Sequence, residues 1–238
     1  QCRNLIAAWL IVQLAVSCEK LMLAPDPSID PIIVFEHLHT DLANRYAYFE
    51  EKGINWEETG NRYRAMINPD LSQYELFYLL SDMLFELRDG HVNIRSSFDR
   101  SRNWSWFQDY PANYDQNLID SAYLRSDFKI TGPLYNQIID SVLYINYRSF
   151  TETIRAPHLD HIMLRAKGMK GVIIDIRSNG GGNLGNAYSL ASCFSDSELL
   201  FARQRIKNGP GPDDFSAWQD LKLTPRNGLR FGGPVIVL

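Results

Sequence analysis

From residue 30 onward the apolar positions recur at helical spacing. Asp30 is a candidate N-cap, and Pro31 fits the first helical position, where its missing N–H costs nothing. Ile32, Phe35, Leu38, Leu42, Tyr46 and Phe49 follow at the intervals of one helix face, which predicts a helix ended by Gly53. Asn55 predicts the cap of a second helix over residues 56–66, broken by Asn68-Pro69. Ser72 with Glu75 three residues on is a capping-box signature. The third helix that it opens has Tyr74, Phe77, Leu80, Leu84 and Leu87 on its apolar face. Residues 31–88 therefore predict an N-terminal three-helix subdomain, with a second region over residues 89–238.

Beyond residue 88 the period changes. Asp89-Gly90 closes the third helix, and alternation over residues 91–95 predicts a strand. Residues 96–118 are irregular and aromatic, with Trp104, Trp106, Phe107 and Tyr110 close together. A β-rich section starts at Leu134, with a strand over 142–148 and a helix over 159–166. The apolar run 172–176 reads as a buried strand, and 184–194 as a helix with Cys193 on its apolar face. A strand over 199–206, a polar loop over 207–230 and a last strand over 234–238 complete the chain. Strands alternating with helices after residue 140 predict a mainly parallel, layered α/β core.

Composition narrows the function classes. The 238 residues are 45% hydrophobic, enough for a substantial core in one or two domains. The net charge is −4 and no basic run occurs, so no nucleic-acid partner is expected. Near the N-terminus Arg3 precedes an apolar stretch, residues 5–16, too short to span a bilayer comfortably. Ala15 and Ser17 precede Cys18, and Glu19-Lys20 follow. Residues 1–18 resemble a bacterial lipoprotein signal. That implies lipidation at Cys18, a membrane partner through a lipid anchor, and export to the cell envelope, in the periplasm or at the outer membrane. An ordinary secretory signal or a short membrane anchor is the other reading. Residues 19–30 form a Pro-containing tether. With Cys2 and Cys18 in the signal, Cys193 alone gives no disulfide framework. Nothing near it in sequence would lower its pKa, so it is a poor nucleophile.

The densest chemistry lies in Gly171-Val-Ile-Ile-Asp-Ile-Arg-Ser-Asn-Gly-Gly-Gly-Asn-Leu-Gly185. Three consecutive glycines cost backbone entropy, and they are useful where backbone N–H groups must approach a ligand or a developing negative charge. Gly180, Gly182 and Gly185 satisfy the spacing of a dinucleotide-binding loop, but that loop usually opens its domain and needs further βαβ units after it. The competing reading is an oxyanion cradle, in which prepositioned N–H donors stabilise a tetrahedral intermediate. That role needs a base, and His91, at a helix-to-strand junction, is the candidate. The other reading of His91 is a turn residue with no chemistry. His37 and His39 do not share a helix face, His158 and His161 flank a helix start, and no metal-ligand spacing or cofactor is implied.

Taken together, Asp89-Gly90-His91-Val92, the strand 140–150, the loop Asp175-Ile-Arg-Ser-Asn-Gly-Gly-Gly182 and residues 46–56 resemble the S41 serine peptidases, the group of C-terminal processing and tricorn-like proteases. The resemblance covers most of residues 30–238. It implies a crotonase-like (ClpP/crotonase) α/β core. It implies an oxyanion or substrate-binding loop at Gly180, Gly181 and Gly182, with Gly181 foremost, and His91 as the general base of the His-using branch; the other branch uses a Ser–Lys dyad. Asp175, Arg177 and Asn179 are expected to brace the loop.

In the family the nucleophilic serine follows a strand like residues 233–238, so it is expected after Leu238, and the 238 residues alone are expected to be inactive. Ser178 and Ser189 do not match that position. Residues 96–140 are too short for the peptide-binding PDZ module of many members, and the aromatic loop 104–110 is the candidate for substrate capture. The expected function is a serine endopeptidase on extended or unfolded polypeptide. The alternatives are a non-catalytic peptide- or ligand-binding module on the same fold, and an acyl-CoA enzyme, against which the export signal argues.

Overall fold

The computed structural model describes residues 30–107, 111 and 113–238. Residues 1–18, with Cys18 and the expected signal, and all of the tether except Asp30 lie outside the described residues. No helix among the described residues is long and apolar enough to cross a membrane. The chain divides into two compact units. The first holds the described residues up to 107 together with Ile206–Ser216; the second holds Tyr110–Arg205 and Ala217–Leu238.

The first unit is built on three helices, α1 (Pro31–Arg45), α2 (Trp56–Arg64) and α3 (Gln73–Phe85). Each start is capped as the sequence predicts. Asp30 Oδ1 accepts the Ile32 N–H at 3.0 Å, and Asn55 Oδ1 that of Glu58 at 3.2 Å. At α3 the box is reciprocal: Ser72 Oγ accepts the Glu75 N–H, and Glu75 Oε2 accepts the Ser72 N–H at 2.9 Å. Phe35, Trp56, Leu80, Met83, Leu84 and Leu87 form the core between the helices. Tyr74 is exposed, whereas Leu76 and Met83 are buried. The α1 helix ends at Arg45, short of the predicted Gly53. Tyr46 turns extended, so that its ring packs against Phe49 and its hydroxyl reaches Asp89. Phe49 stacks on Trp56, and the Ile54 N–H closes the turn on the Phe49 carbonyl. Tertiary packing thus overrides the helical period here. Buried His39 donates Nε2–H to the Trp56 carbonyl at 3.1 Å, and Trp56 Nε1 donates to the His39 carbonyl at 3.0 Å.

The strand predicted over residues 91–95 does not form; Arg95 alone makes a bridge, to Arg100. Side chains take the backbone groups that a ladder would have used. Asn93 Nδ2 donates to the Gly90 carbonyl, Ser101 Oγ accepts the Ile94 N–H, and Asn103 Nδ2 donates to the Val92 carbonyl.

The second unit contains a five-stranded sheet in the order β1-β2-β3-β4-β7. Its strands are β1 (Lys129–Thr131), β2 (Leu134–Ile139), β3 (Val142–Asn146), β4 (Gly171–Asp175) and β7 (Val235–Val237). β5 (Leu199–Gln204) and β6 (Gln219–Leu223) pair as a separate antiparallel ribbon, so the region predicted as one polar loop contains a strand. The β1–β2 and β2–β3 pairs are antiparallel. Asp140 and Ser141, both at positive φ (48° and 70°), make the two-residue turn between β2 and β3. From β3 onward the neighbours are parallel: Val142 to Asn146 pair in register with Gly171 to Asp175, and β4 pairs with β7.

Helix α4 (Ala156–Ala166) connects β3 to β4, and α5 (Leu184–Ala191) follows β4. Period-two alternation splits the sheet's side chains between two faces. Leu143, Ile145, Val172 and Ile174 meet Leu159, Ile162, Met163 and Leu190 on one side. Tyr144 and Ile173 meet Ile119 and Leu124 of the π-helix Ile119–Leu124 on the other.

Candidate active site

β3 and β4 end side by side, with Asn146 opposite Asp175, and both chains leave the sheet there. Asp175 is fully buried. Arg177 grips it with two bonds, Nε to Oδ1 at 3.0 Å and Nη2 to Oδ2 at 2.6 Å, and Tyr144 donates its hydroxyl to Oδ2 at 2.5 Å. Burial pushes the Asp175 carboxyl upward, but the Arg177 and Tyr144 bonds outweigh it and hold it below the ordinary carboxylate range. Burial beside this carboxylate raises the Tyr144 phenol above its usual value. Asp175 is therefore a fixed anion that clamps the turn to the strand end.

The chain then turns through Ser178 (φ 58°), Gly181 (φ 87°) and Gly182 (φ 138°). Asn179 binds in two directions: its Nδ2 donates to the Tyr147 carbonyl at 2.8 Å, and its Oδ1 accepts the Gly181 N–H at 2.8 Å. Residues 147–154 form a wall beside the loop. The Phe150 N–H donates to the Gly181 carbonyl at 2.9 Å, and the Asn183 N–H donates to the Phe150 carbonyl at 3.0 Å. Phe150 and Gly182 thus make a one-residue parallel bridge. Asn186, buried in the first turn of α5, donates Nδ2 to the Phe150 and Glu152 carbonyls and accepts the Ile154 N–H on Oδ1. The exposed N–H groups of Gly180 and Gly182 have no acceptor among the described residues.

The predicted loop and its braces therefore come together. The finer expectation shifts, because the Gly181 N–H is already taken by Asn179.

In the first unit, His91 projects from a turn with its side chain fully exposed. Asp89 holds that turn. Its Oδ1 accepts the His91 backbone N–H at 3.0 Å and lies 3.4 Å from the ring Nδ1. Its Oδ2 accepts the Tyr46 hydroxyl at 2.9 Å and lies 3.6 Å from Lys52 Nζ. Burial raises the Asp89 carboxyl, yet the His91 backbone bond, Tyr46 and Lys52 together keep it below the normal range. The carboxylate thus lies on the Nδ1 side of an imidazole that is otherwise open to solvent. Trp104 Nε1 donates to the Gly90 carbonyl at 3.1 Å, so Trp104 braces the turn, while Trp106 and Phe107 stay about two-fifths exposed.

Tyr46, Lys52 and Asp89 as holders of His91, and residues 147–154 with Asn186 as the wall of the loop, were not assigned from sequence. Only the two-residue spacing of Asp89 and His91 signals one of them, as an Asx turn. The remaining candidates take no part. His158 Nδ1 accepts the Arg155 N–H at its helix start, and Ser189 Oγ donates to the Gly185 carbonyl within α5. Cys193 is fully buried, and burial pushes its thiol up to about 11.

Residues 33–85 match the tricorn protease C1 domain, and residues 141–238 match peptidase family S41. The crystal structure of a candidate peptidase from Parabacteroides merdae is 36% identical and superposes with a TM-score of 0.82, over 88% of this chain and 67% of that one. Two other structures are looser. The photosystem II D1 C-terminal processing protease is 10% identical with a TM-score of 0.49, over 88% of this chain and 74% of its own. Mature CPAF is 11% identical with a TM-score of 0.47, over 74% of this chain and 60% of its own. None of the curated proteins matches the chain.

The helices, the mixed sheet and the glycine turn define a peptidase core of the ClpP/crotonase-like class. The chain belongs to peptidase family S41.

Proposed function

We propose that the protein is a serine-type endopeptidase that hydrolyses peptide bonds in extended or unfolded polypeptide, with a His-assisted nucleophile and an oxyanion site on the glycine loop. The observation that carries this reading is the loop itself: exposed glycines whose N–H groups have no acceptor among the described residues, on a turn fixed by Asp175, Asn179 and Asn186. Prepositioned, uncharged donors suit an oxygen that gains charge only in the transition state, and each contributes about 3 kcal/mol to lowering the barrier. The Asp89–His91 turn supports the role of His91 as base, because the backbone of His91 is held by Asp89 and its imidazole is open to solvent with a carboxylate 3.4 Å from Nδ1.

Neither Ser178 nor Ser189 is assigned as the nucleophile. Ser178 is locked in the loop at positive φ, and the hydroxyl of Ser189 is bonded to its own helix. The test is casein hydrolysis by the full-length natural protein before and after treatment with an organophosphorus serine reagent. Turnover abolished by the reagent supports the reading, and turnover that the reagent leaves untouched contradicts it.

We propose in the same way that residues 1–18 direct export and that Cys18 carries the lipid anchor. Mass analysis of the mature N-terminus tests this, and an unmodified Cys18 contradicts it.

A further inference from the structure

The hydrogen bonds of the loop select which glycines can act as donors. In a trans peptide the carbonyl and the N–H of one unit point in opposite directions. The Gly181 carbonyl is fixed on the Phe150 N–H. The N–H of the same peptide unit belongs to Gly182 and is therefore directed away from residues 147–154. The second bond of the bridge agrees. Phe150 bonds to the residues on either side of Gly182, at Gly181 and Asn183, so the N–H and C=O of Gly182 itself face the opposite edge. A Cβ on Gly182 would lie 2.4 Å from the Phe150 carbonyl carbon, which shows how closely the two backbones are pressed.

The Gly181 N–H has a different fate. Asn179 Oδ1 accepts it, and the same side chain is held at its other end by the Tyr147 carbonyl. One carbonyl and one N–H partner fix which end of the amide faces which group.

We propose that Asn179 is a positioning residue that removes the Gly181 N–H from the site and leaves the N–H groups on either side of it, of Gly180 and Gly182, as the donors to the acyl oxygen. This rests on the peptidase reading above and assigns the donors within it.

The test compares the full-length protein with its Asn179→Ala and Asn179→Asp variants. Asn179→Ala is expected to lower kcat on casein about 100-fold, with KM changed less than about threefold, as for loss of a transition-state donor. Asn179→Asp keeps an acceptor for the Gly181 N–H but loses the Nδ2 bond to the Tyr147 carbonyl, so it is expected to leave the Gly181 amide protected from exchange without restoring kcat. A second readout is independent of turnover: hydrogen exchange on protein labelled with 15N-glycine. The Gly181 amide is expected to exchange at least about tenfold more slowly than that of Gly182, and to lose this protection in Asn179→Ala. An active wild type whose kcat is unmoved by Asn179→Ala overturns the inference, as does a Gly181 amide that exchanges as fast as that of Gly182. A wild type without turnover overturns the peptidase reading instead. Should Asn179→Ala fail to fold, Asn179→Asp and the wild-type exchange rates decide.

Discussion

Gly180, Gly181 and Gly182 stand together in the chain but meet different constraints. A Cβ on Gly180 finds nothing within 4 Å, and the residue is not at positive φ. Gly181→Ala meets open space but an unfavourable φ, whereas a Cβ at Gly182 would strike Phe150 and Thr151 at a φ of 138°. Gly180→Ala is therefore expected to leave the stability of the protein within about 0.5 kcal/mol. Gly182→Ala is expected to cost about 2–4 kcal/mol, through overpacking and backbone strain together. Urea unfolding of the two variants checks the order; equal losses would contradict the geometry. Cys193 is expected to resist alkylation at pH 8, because a buried thiol raised to about 11 offers almost no thiolate. Peptide-resolved mass spectrometry should find it labelled only after unfolding.

The strand-end clamp is an element-scale device. Arg177, 31% exposed in its side chain, closes the turn after β4 onto fully buried Asp175. Removing one partner of a buried pair costs about 3–5 kcal/mol. Arg177 can still find water, so Asp175→Asn is expected to cost about 2 kcal/mol at pH 7. The sign follows from the depressed carboxyl. Its stabilisation is present above the ordinary Asp range and is lost as pH falls through the lower, folded-state value. The gap in melting temperature between wild type and Asp175→Asn should therefore be widest near neutrality and close below about pH 4. A gap that widened on acidification would refute the clamp. In the first unit, Gly60 of α2 lies against buried His39, where a Cβ would sit 2.2 Å from Nε2. Gly60→Ala is thus expected to destabilise by about 1–3 kcal/mol despite its better helix propensity, as a thermal melt would show.

At the scale of the whole molecule, the signals that were legible are those written locally. The caps at Asp30, Asn55 and Ser72 rest on side-chain bonds spanning two or three residues, and the 172–176 run reads as a strand because burial on both faces leaves it continuously apolar. The failures are the places where distant residues decide. The end of α1 is set by Tyr46 reaching Asp89, 43 residues away, and the loss of the predicted strand at 91–95 by Ser101 and Asn103. In the loop, glycine content marked the turn after β4. What distinguishes Gly181 from its neighbours is its bonds to Phe150 and Asn179, and residues 147–154 share no motif with the loop.

The central claim is that this family S41 chain supplies the base and the backbone donor of a peptidase. The most direct measurement is casein turnover by the full-length protein carrying His91→Ala. A general base in the mechanism predicts a fall in kcat of about 100- to 10,000-fold with the fold retained. Turnover equal to that of the wild type would contradict the account.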